Sequence, residues 1–430
     1  MRQILILGAG KSSVALIDYL IEKSAAEQWL ITVADMTAEL ALQKTKNRPN
    51  TQAISFDFYN EESRKKIISG ADIVVSMLPA LMHVPVAEDC LLLKKHLVTP
   101  SYISEAMRSF DAQATKKGLV FMNEIGLDPG IDHMSAMQMI DNLKEEGKTI
   151  LGFKSHCGGL VAPESDDNLW HYKFSWNPRN VVLAGQGEGE IQWLENGKKK
   201  VISYEVLFTH TEEVKVKGFG KFESYPNRDS LKYISEYGLK GIKTMYRGTL
   251  RRAPFCKGWN ALVQLGFTNR KERLTHKFQE EVTALMKSKE VIPDKQTEKL
   301  VLSTSVIPAL FLHHDKWVVP ADLLQYALEH TWTLLPHDRD MVVMVHQIEF
   351  AGKSGRGKKI LESSMVCIGT DAEHTAMAKT VGLPVAMVTR MILNGEIKRK
   401  GVLMPVYPEI YTAVLTELKE YGIEFKEKVY

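Results

Sequence analysis

The sequence predicts an α/β protein in two parts: an N-terminal doubly wound parallel sheet, then a mixed α/β domain that carries a small helical insertion. Three observations lead there. Up to Met122 short, continuous apolar strands alternate with helix-like segments. A glycine turn joins the first strand to the first helix. From about Ile150 the pattern changes to period-2 strands, interrupted by one long helical stretch.

In chain order, "QILILGAGKSSVALIDYLIEK" gives an apolar strand from Ile4 to Leu7, the glycine turn, and then Val14, Ile17, Leu20 and Ile21 at helical spacing. Further strands follow in "WLITVAD", "QAISFDF", "ADIVVSMLP", "HLVTPS" and "GLVFMNE". Strands apolar on both faces and alternating with helices specify a parallel sheet covered on both sides. This doubly wound unit is assigned to residues 1–123. A helix-rich return element, "DAEHTAMAKTVGLPVAMVTRMILNG", joins it from residues 371–398. Alternating strands in "ILGFKSHCGG", "EIQWLENGKKKVISYEVLF" and "DMVVMVHQIEFAGKSGRGKKILESSMVCIG" assign 124–268 and 338–430 to a mixed α/β domain. The last of these reads as a long hairpin with a glycine-rich tip. "KERLTHKFQEEVTALMKSKE" and "PADLLQYALEHTWTLL" mark residues 269–337 as the helical insertion.

A chain of 430 residues exceeds the usual size of one domain and has ample material for a large core. With 44% hydrophobic and 25% charged residues and a net charge of +3, it is composed as an ordinary globular protein. The lysines of "NGKKK" and "GKSGRGKK" sit in glycine-containing polar tips, so they read as solvated loops and no nucleic-acid partner is expected. Cys90, Cys157, Cys256 and Cys367 are scattered without a CxxC pair. They point to reduced thiols in the cytoplasm and to neither a disulfide framework nor a zinc site. No signal-like apolar core precedes the first strand, and no apolar run reads as a membrane span, so no membrane association is expected.

Gly8-Ala9-Gly10-Lys11-Ser12-Ser13 matches G-x-G-x-x-[small], with Ser13 at the third small position. Gly8 permits the tight turn, and Gly10 lets the backbone approach a pyrophosphate at the helix N-terminus. Lys11, Ser12 and Ser13 complete that cofactor-binding turn. Asp35 ends the second strand, where a carboxylate accepts hydrogen bonds from the adenine-ribose hydroxyls of NAD. It would repel a 2′-phosphate, and Met36 offers no guanidinium, so NAD is expected, with NADP as the alternative. The competing reading is that Asp35 merely caps the next helix. "SMLP", with Leu78 and Pro79, and "TPSYIS" follow the fourth and fifth strands. Ligands of open α/β sheets sit outside the carboxyl ends of the strands, so both segments border the nicotinamide half of the cofactor. Tyr102 there is either a hydrogen-bonding or proton-relaying phenol or a core tyrosine. "NEIGLDPGIDH", from Asn123 to His133, spends more charge and more glycine on one crossing than a connection needs.

"ADIVVSMLP", "VTPSYIS", "NEIGLDPGIDHM", "HCGGLVAPESDDN", "YKFSWNPR", "YPNRDS", "RGTLR" and "RDMVVMVHQIEF", in this order and spacing, resemble the glutamate-forming saccharopine dehydrogenases. The resemblance covers nearly the whole chain and is weakest over the helical insertion. It implies a Rossmann domain, a mixed substrate domain and a small helical domain, with saccharopine in the cleft between them. The implied reaction of lysine metabolism converts saccharopine, a nicotinamide dinucleotide and water to L-glutamate and 2-aminoadipate 6-semialdehyde, reversibly. Asp128, Tyr102 and Cys157 would lie by the reacting nitrogen, where such chemistry needs proton donors and acceptors. Asp128 also suits a helix cap. Glu124 would brace the turn and Asp132 and His133 would serve the helix's first turn; no metal site is expected. Saccharopine carries three carboxylates, which guanidinium forks suit. Arg228 is the first candidate, and Arg247 either joins it or pairs with a structural acid. Ser101 is the remaining substrate contact. Lys173 and Arg179 would shape the cleft entrance, and Trp176 reads as core. Val161 departs from the proline usual in this loop.

Two other readings stand beside this one. A related imine-reducing dehydrogenase would take a carboxynorspermidine-like substrate, although Arg228 and the whole block from "CGG" to "FSW" fit saccharopine better. A non-catalytic dinucleotide-binding protein would have no need of Tyr102, Asp128 and Cys157 together. Exposed strand edges in the second domain suggest a homodimer.

Overall fold

The computed structural model describes residues 1–187, 189–313, 318–352 and 357–430. Contacts divide the chain into two units, Met1–Glu146 with Glu373–Glu424, and Gly147–Ala372 with Phe425–Tyr430.

The first unit is built on β1 (Arg2–Leu7), β2 (Trp29–Asp35), β3 (Thr51–Ser55), β4 (Ile73–Ser76), β5 (His96–Val98) and β6 (Val120–Met122). Ile4, Ile6, Ile73, Val74, Val75, Val120 and Phe121 are fully buried, which is why these strands read as continuous apolar runs. A short later strand lies beside β6, giving the order 401–403, β6, β5, β4, β1, β2, β3 with every pairing parallel. The strand order reverses between β1 and β4. That reversal opens a crevice at their carboxyl ends, where the glycine turn lies.

The helix Ala376–Leu393 packs on the first helix, Val14–Glu27, so closely that a Cβ on Gly382 would lie 2.7 Å from the Leu16 nitrogen. This helix is long and apolar enough to cross a membrane by length and composition, which the sequence reading overlooked, but 78% of it is buried inside the protein. A helix apolar all round is explained by that burial.

The boundaries expected from sequence shift. The helix Ile131–Glu145 and the segment after 398 lie with the first unit, where the sequence reading gave 124–146 and 399–424 to the substrate domain. Gly401–Leu403 hydrogen-bonds along β6, and the Tyr411 hydroxyl donates to Asp141 Oδ2 at 2.8 Å. A strand of three residues is too short to show a period, so its sheet could not be assigned from sequence.

The second unit holds β7 (Thr149–Val161), β8 (Ile191–Glu195), β9 (Lys198–Ile202), β10 (Glu212–Val216), β11 (Gly220–Pro226), β12 (Thr244–Arg251), β13 (Asp340–Ala351) and β14 (Lys359–Ile368). After β15 (Gly401–Leu403) of the first unit, β16 (Lys426–Val429) completes it. The order is β10-β11-β12-β7-β13-β14-β16, with β8 paired to β12 and β9 to β8. β12 and β7 run parallel and the other neighbours antiparallel, which makes the sheet mixed. The long hairpin is β13 and β14; of its glycine-rich tip, 353–356 lie outside the described residues. In the expected insertion, 314–317 also lie outside them. Its helices His276–Leu285, Lys295–Ser303, Val306–His313 and Pro320–Thr331 share one core with Phe255–Gln264 and with residues before β8. Trp170, Tyr172, Phe174, Phe255, Trp259 and Trp332 form the centre of that core. Trp176 packs against it and donates its indole N–H to the Tyr172 oxygen at 3.3 Å.

Candidate functional site

In the first unit the glycine turn follows β1 directly. Gly8 has φ +102°, and a Cβ there would meet the Met77 carbonyl oxygen at 3.0 Å, so the turn both bends and nests against the end of β4. Gly10 differs: a Cβ would meet no protein atom within 4 Å, and the residue is exposed. Open space above a glycine at a helix start is what an approaching pyrophosphate requires. Lys11–Ser13 form a 3₁₀ turn leading into the helix Val14–Glu27, with the Ser13 hydroxyl donating to Gly10 O at 2.8 Å. The residues present therefore fit a dinucleotide.

Asp35 does not cap the next helix. Thr37 does, accepting from Leu40 N at 3.4 Å, while Asp35 Oδ2 accepts from Ala9 N at 2.5 Å and Oδ1 from Met36 N at 2.7 Å. The carboxylate is thereby clamped to the glycine turn and keeps lone pairs for a further donor. Met36 is 83% exposed. At the end of β4, Met77 N donates to Leu7 O at 2.8 Å, Leu78 is half-buried and Pro79 is exposed.

Tyr102 and Asp128 meet. The phenol donates to Asp128 Oδ1 at 3.0 Å, across 26 residues of sequence. The "NEIGLDPGIDH" turn accounts for how the carboxylate is held. Glu124, 2% exposed and at φ +54°, accepts from Ile103 N at 2.9 Å through Oε1, and its Oε2 lies 2.9 Å from His133 Nε2. Its own N–H donates to Ser101 O at 3.0 Å. Glu124 thus stitches the Tyr102 loop to the helix that follows Asp128. Asp132 Oδ1 accepts from Gly130 N at 2.6 Å, so the N–H of the residue that begins that helix is held from inside its first turn. The charge in this turn orders one buried junction, and the buried Glu124 acid is accommodated because both of its oxygens find hydrogen-bond partners.

Sequence reading passed over His83, which begins the helix His83–Leu93. Its Nδ1 lies 2.9 Å from Ser76 Oγ and its Nε2 2.7 Å from Ser101 Oγ. Burial pushes its pKa down to about 4, so the ring is neutral near pH 7. A lone histidine inside "LMHVP" carries no spacing signal that could have revealed this.

In the second unit Cys157 is buried near the middle of β7, opposite Thr249 of β12 and Met344 of β13. None of the four cysteines is in a disulfide. Arg228 follows β11 in a loop, exposed and with φ +52°. Its carbonyl accepts from Gln192 N at 3.1 Å, and Asn227 N donates to Arg247 O at 2.8 Å. These bonds set Arg228 and Arg247 on adjacent segments. Arg247 is buried, its guanidinium 4.5 Å from the centre of the Tyr233 ring, and its N–H donates to Ser230 Oγ at 2.9 Å. Lys173 is bound by Asp167 at 2.8 Å and Asp338 at 2.7 Å, and Arg179 by Asp322 at 2.7 Å. Those two cations are thereby engaged within their own unit.

Comparison with known proteins gives a consistent assignment. Residues 4–122 match the profile of the saccharopine dehydrogenase NADP binding domain, and 126–423 that of the saccharopine dehydrogenase C-terminal domain. Saccharopine dehydrogenase (NADP(+), L-glutamate-forming) of Saccharomyces cerevisiae is 34% identical over 99% of both chains. The mitochondrial alpha-aminoadipic semialdehyde synthase of Mus musculus is also 34% identical, and the present chain spans 47% of its length. The solved apo saccharopine dehydrogenase (L-Glu forming) of S. cerevisiae superposes with a TM-score of 0.86 at 32% identity, covering 100% of each chain. With both domain profiles matched in order and relatives aligned end to end, the chain belongs to the saccharopine dehydrogenase family.

Proposed function

We propose that this protein interconverts saccharopine with L-glutamate and 2-aminoadipate 6-semialdehyde. The observation that carries the reading is the Tyr102–Asp128 pair, 3.0 Å apart at the carboxyl-end side of the parallel sheet, in a chain of this family. The oxidative direction removes a hydride from the carbon bonded to the secondary amine. Water then adds to the resulting imine, and the carbinolamine C–N bond breaks to release glutamate and the aldehyde. Bound nicotinamide dinucleotide accepts or supplies the hydride.

The chain supplies binding and proton handling. Gly8, Gly10, Lys11, Ser12 and Ser13 form the pyrophosphate turn, Asp35 meets the adenine ribose, and Leu78 and Pro79 border the nicotinamide end. Asp128 accepts the amine proton, and the Tyr102 phenol, already hydrogen-bonded to it, holds the carboxylate in place and shares the charge. Cys157 is assigned as a further proton donor during carbinolamine collapse. Arg228, Arg247 and Ser101 bind carboxylates, the two guanidinium groups being the planar forks suited to that task.

The cofactor is a nicotinamide dinucleotide, and its form is the finer part of the proposal. The name of the S. cerevisiae dehydrogenase specifies NADP(+), and so does the matched N-terminal profile. Asp35, clamped at the end of β2 with exposed Met36 beside it, supports NAD, because a carboxylate there repels a 2′-phosphate. The reading assigns NAD as the preferred cofactor. A cytoplasmic homodimer is its expected setting, supported by cysteines outside any disulfide and by the exposed strand β9.

The test is nicotinamide absorbance with saccharopine and each of NAD(+) and NADP(+), with glutamate measured as product. Dinucleotide reduction that depends on saccharopine supports the function; none with either cofactor refutes it. A kcat/KM favouring NADP(+) would refute the assignment of Asp35 alone.

A further inference from the structure

Ser76 ends β4, and the residue after it, Met77, packs its carbonyl against Gly8 of the dinucleotide turn. Ser101 immediately precedes Tyr102, whose phenol is bonded to Asp128. These two serines sit on different strand ends, and one imidazole joins them. His83 Nδ1 is 2.9 Å from Ser76 Oγ, and Nε2 is 2.7 Å from Ser101 Oγ. Thr99 Oγ1 completes the cluster, 3.2 Å from Nε2, while accepting from Ser101 N at 3.3 Å. His83 is 4% exposed, Ser76 and Thr99 are fully buried and Ser101 is half-buried, so the ring and its Ser76 and Thr99 contacts are shielded from water.

We propose that His83 is a positioning residue of the saccharopine reaction: from the helix that follows β4, whose end borders the nicotinamide, its Nε2 side holds the Ser101–Tyr102 segment that carries the proton-handling pair, and Ser76 only orients the ring. The inference rests on the function proposed above. Hydride transfer and proton transfer must be aligned on one substrate nitrogen and its neighbouring carbon. The groups responsible come from separate strand ends, and separate ends drift unless something stiff spans them. A side chain anchored on the helix His83–Leu93 and bonded to Ser101 at its far end is such a spacer. Its neutrality near pH 7 leaves one nitrogen as donor and the other as acceptor, so each serine hydroxyl has a fixed orientation.

A histidine that only filled space would tolerate glutamine and asparagine equally, because both are smaller polar groups in the same hole. The proposal separates them. His83→Gln carries its terminal amide to the position of Nε2 and keeps the bond to Ser101. His83→Asn places its amide at the position of Nδ1, keeps Ser76 and releases Ser101.

The expected result is that His83→Asn lowers kcat with saccharopine by about 10²-fold, the cost of a misplacement near 1 Å. Its KM for the dinucleotide should stay within about threefold of wild type, and His83→Gln should retain kcat within the same factor. Equal losses in the two variants, or none in His83→Asn, would overturn the proposal. Should His83→Asn fail to fold, Ser101→Ala cuts the same bond with the imidazole in place, and wild-type kcat in that variant would overturn it. A second readout needs no substrate. With 3-fluorotyrosine at position 102 of the full chain, His83→Asn should move or split the ¹⁹F resonance and His83→Gln should leave it unchanged. An unmoved resonance in His83→Asn refutes the positioning role. Wild-type protein that does not oxidise saccharopine refutes the functional reading alone, and the ¹⁹F comparison then still decides whether His83 positions Tyr102.

Discussion

Replacing Asp128 by asparagine separates architecture from chemistry in a single substitution. The only change is an oxygen exchanged for an NH₂ and the loss of a charge and a basic site. Asn keeps a carbonyl oxygen able to accept from the Tyr102 phenol, now 3.0 Å from Asp128 Oδ1. What is lost in the resting protein is the difference between a charge-assisted and a neutral hydrogen bond, about 1 kcal/mol. The helix start is insulated from the change, because Asp132 serves Gly130 N and Glu124 holds the loop. A change of about 1 kcal/mol moves the melting temperature of a chain this long by only a few degrees. Turnover should respond on another scale, since removing a positioned acid or base typically costs about 10²- to 10⁴-fold in rate. Tyr102→Phe should cost less, and Asp128→Asn/Tyr102→Phe should be little worse than Asp128→Asn alone, because groups acting as one unit are not additive. Thermal melting, steady-state rates across pH and dinucleotide titration by nicotinamide fluorescence check all three. An Asp128→Asn enzyme with wild-type kcat and an unchanged pH profile would refute the assignment, and fully additive losses would refute the pairing with Tyr102.

Asp35→Ala should weaken NAD binding and narrow its advantage over NADP, because the ribose loses an acceptor and Ala9 N loses its clamp; dissociation constants for both dinucleotides check this. Arg228→Met should raise the KM for saccharopine far more than that for the dinucleotide. Unpairing a buried carboxylate costs about 3 to 5 kcal/mol, and the exposure of Arg228 brings the expected loss below that range. Glu124→Ala removes the acceptor of the half-buried Ile103 N–H and one partner of buried His133, at about 1 to 3 kcal/mol in all. Glu124→Gln can still accept from Ile103 and should melt closer to wild type in differential scanning calorimetry. His156, fully buried with Nδ1 2.8 Å from Ser224 Oγ, has its pKa pushed down to about 3 by burial first and then by Lys154 and His346. The unfolded chain therefore binds this proton more readily than the folded one. Stability from this group is full above the unfolded value near 6.5 and is lost as pH falls toward 3, by about 5 kcal/mol at most. His156→Asn should flatten that acid limb in urea melts run between pH 7 and 4.

What the sequence determined by itself is whatever is written locally. The β1 strand, the glycine turn and the helix after it follow from four consecutive apolar residues, a glycine that must reach φ +102°, and apolar residues at helical spacing. The long motifs likewise pointed to the family, since each is a continuous stretch with its chemistry in order. The tertiary structure decided the rest, because the remaining facts are pairings between distant segments. Glu124 could be suspected of bracing its turn, but its reach to Ile103 N exists only when β5 and β6 lie side by side. Asp35 could meet Ala9 only once β2 lay beside β1. Gly401–Leu403 became a strand because β6 offered it an open edge, and three residues cannot announce that through periodicity. His83 is the sharpest case. Nothing about one histidine predicts two serines, one seven residues earlier and one eighteen later, on either side of its ring. Local pattern encodes how each segment buries its apolar face; which polar groups meet is set by the packing of whole elements.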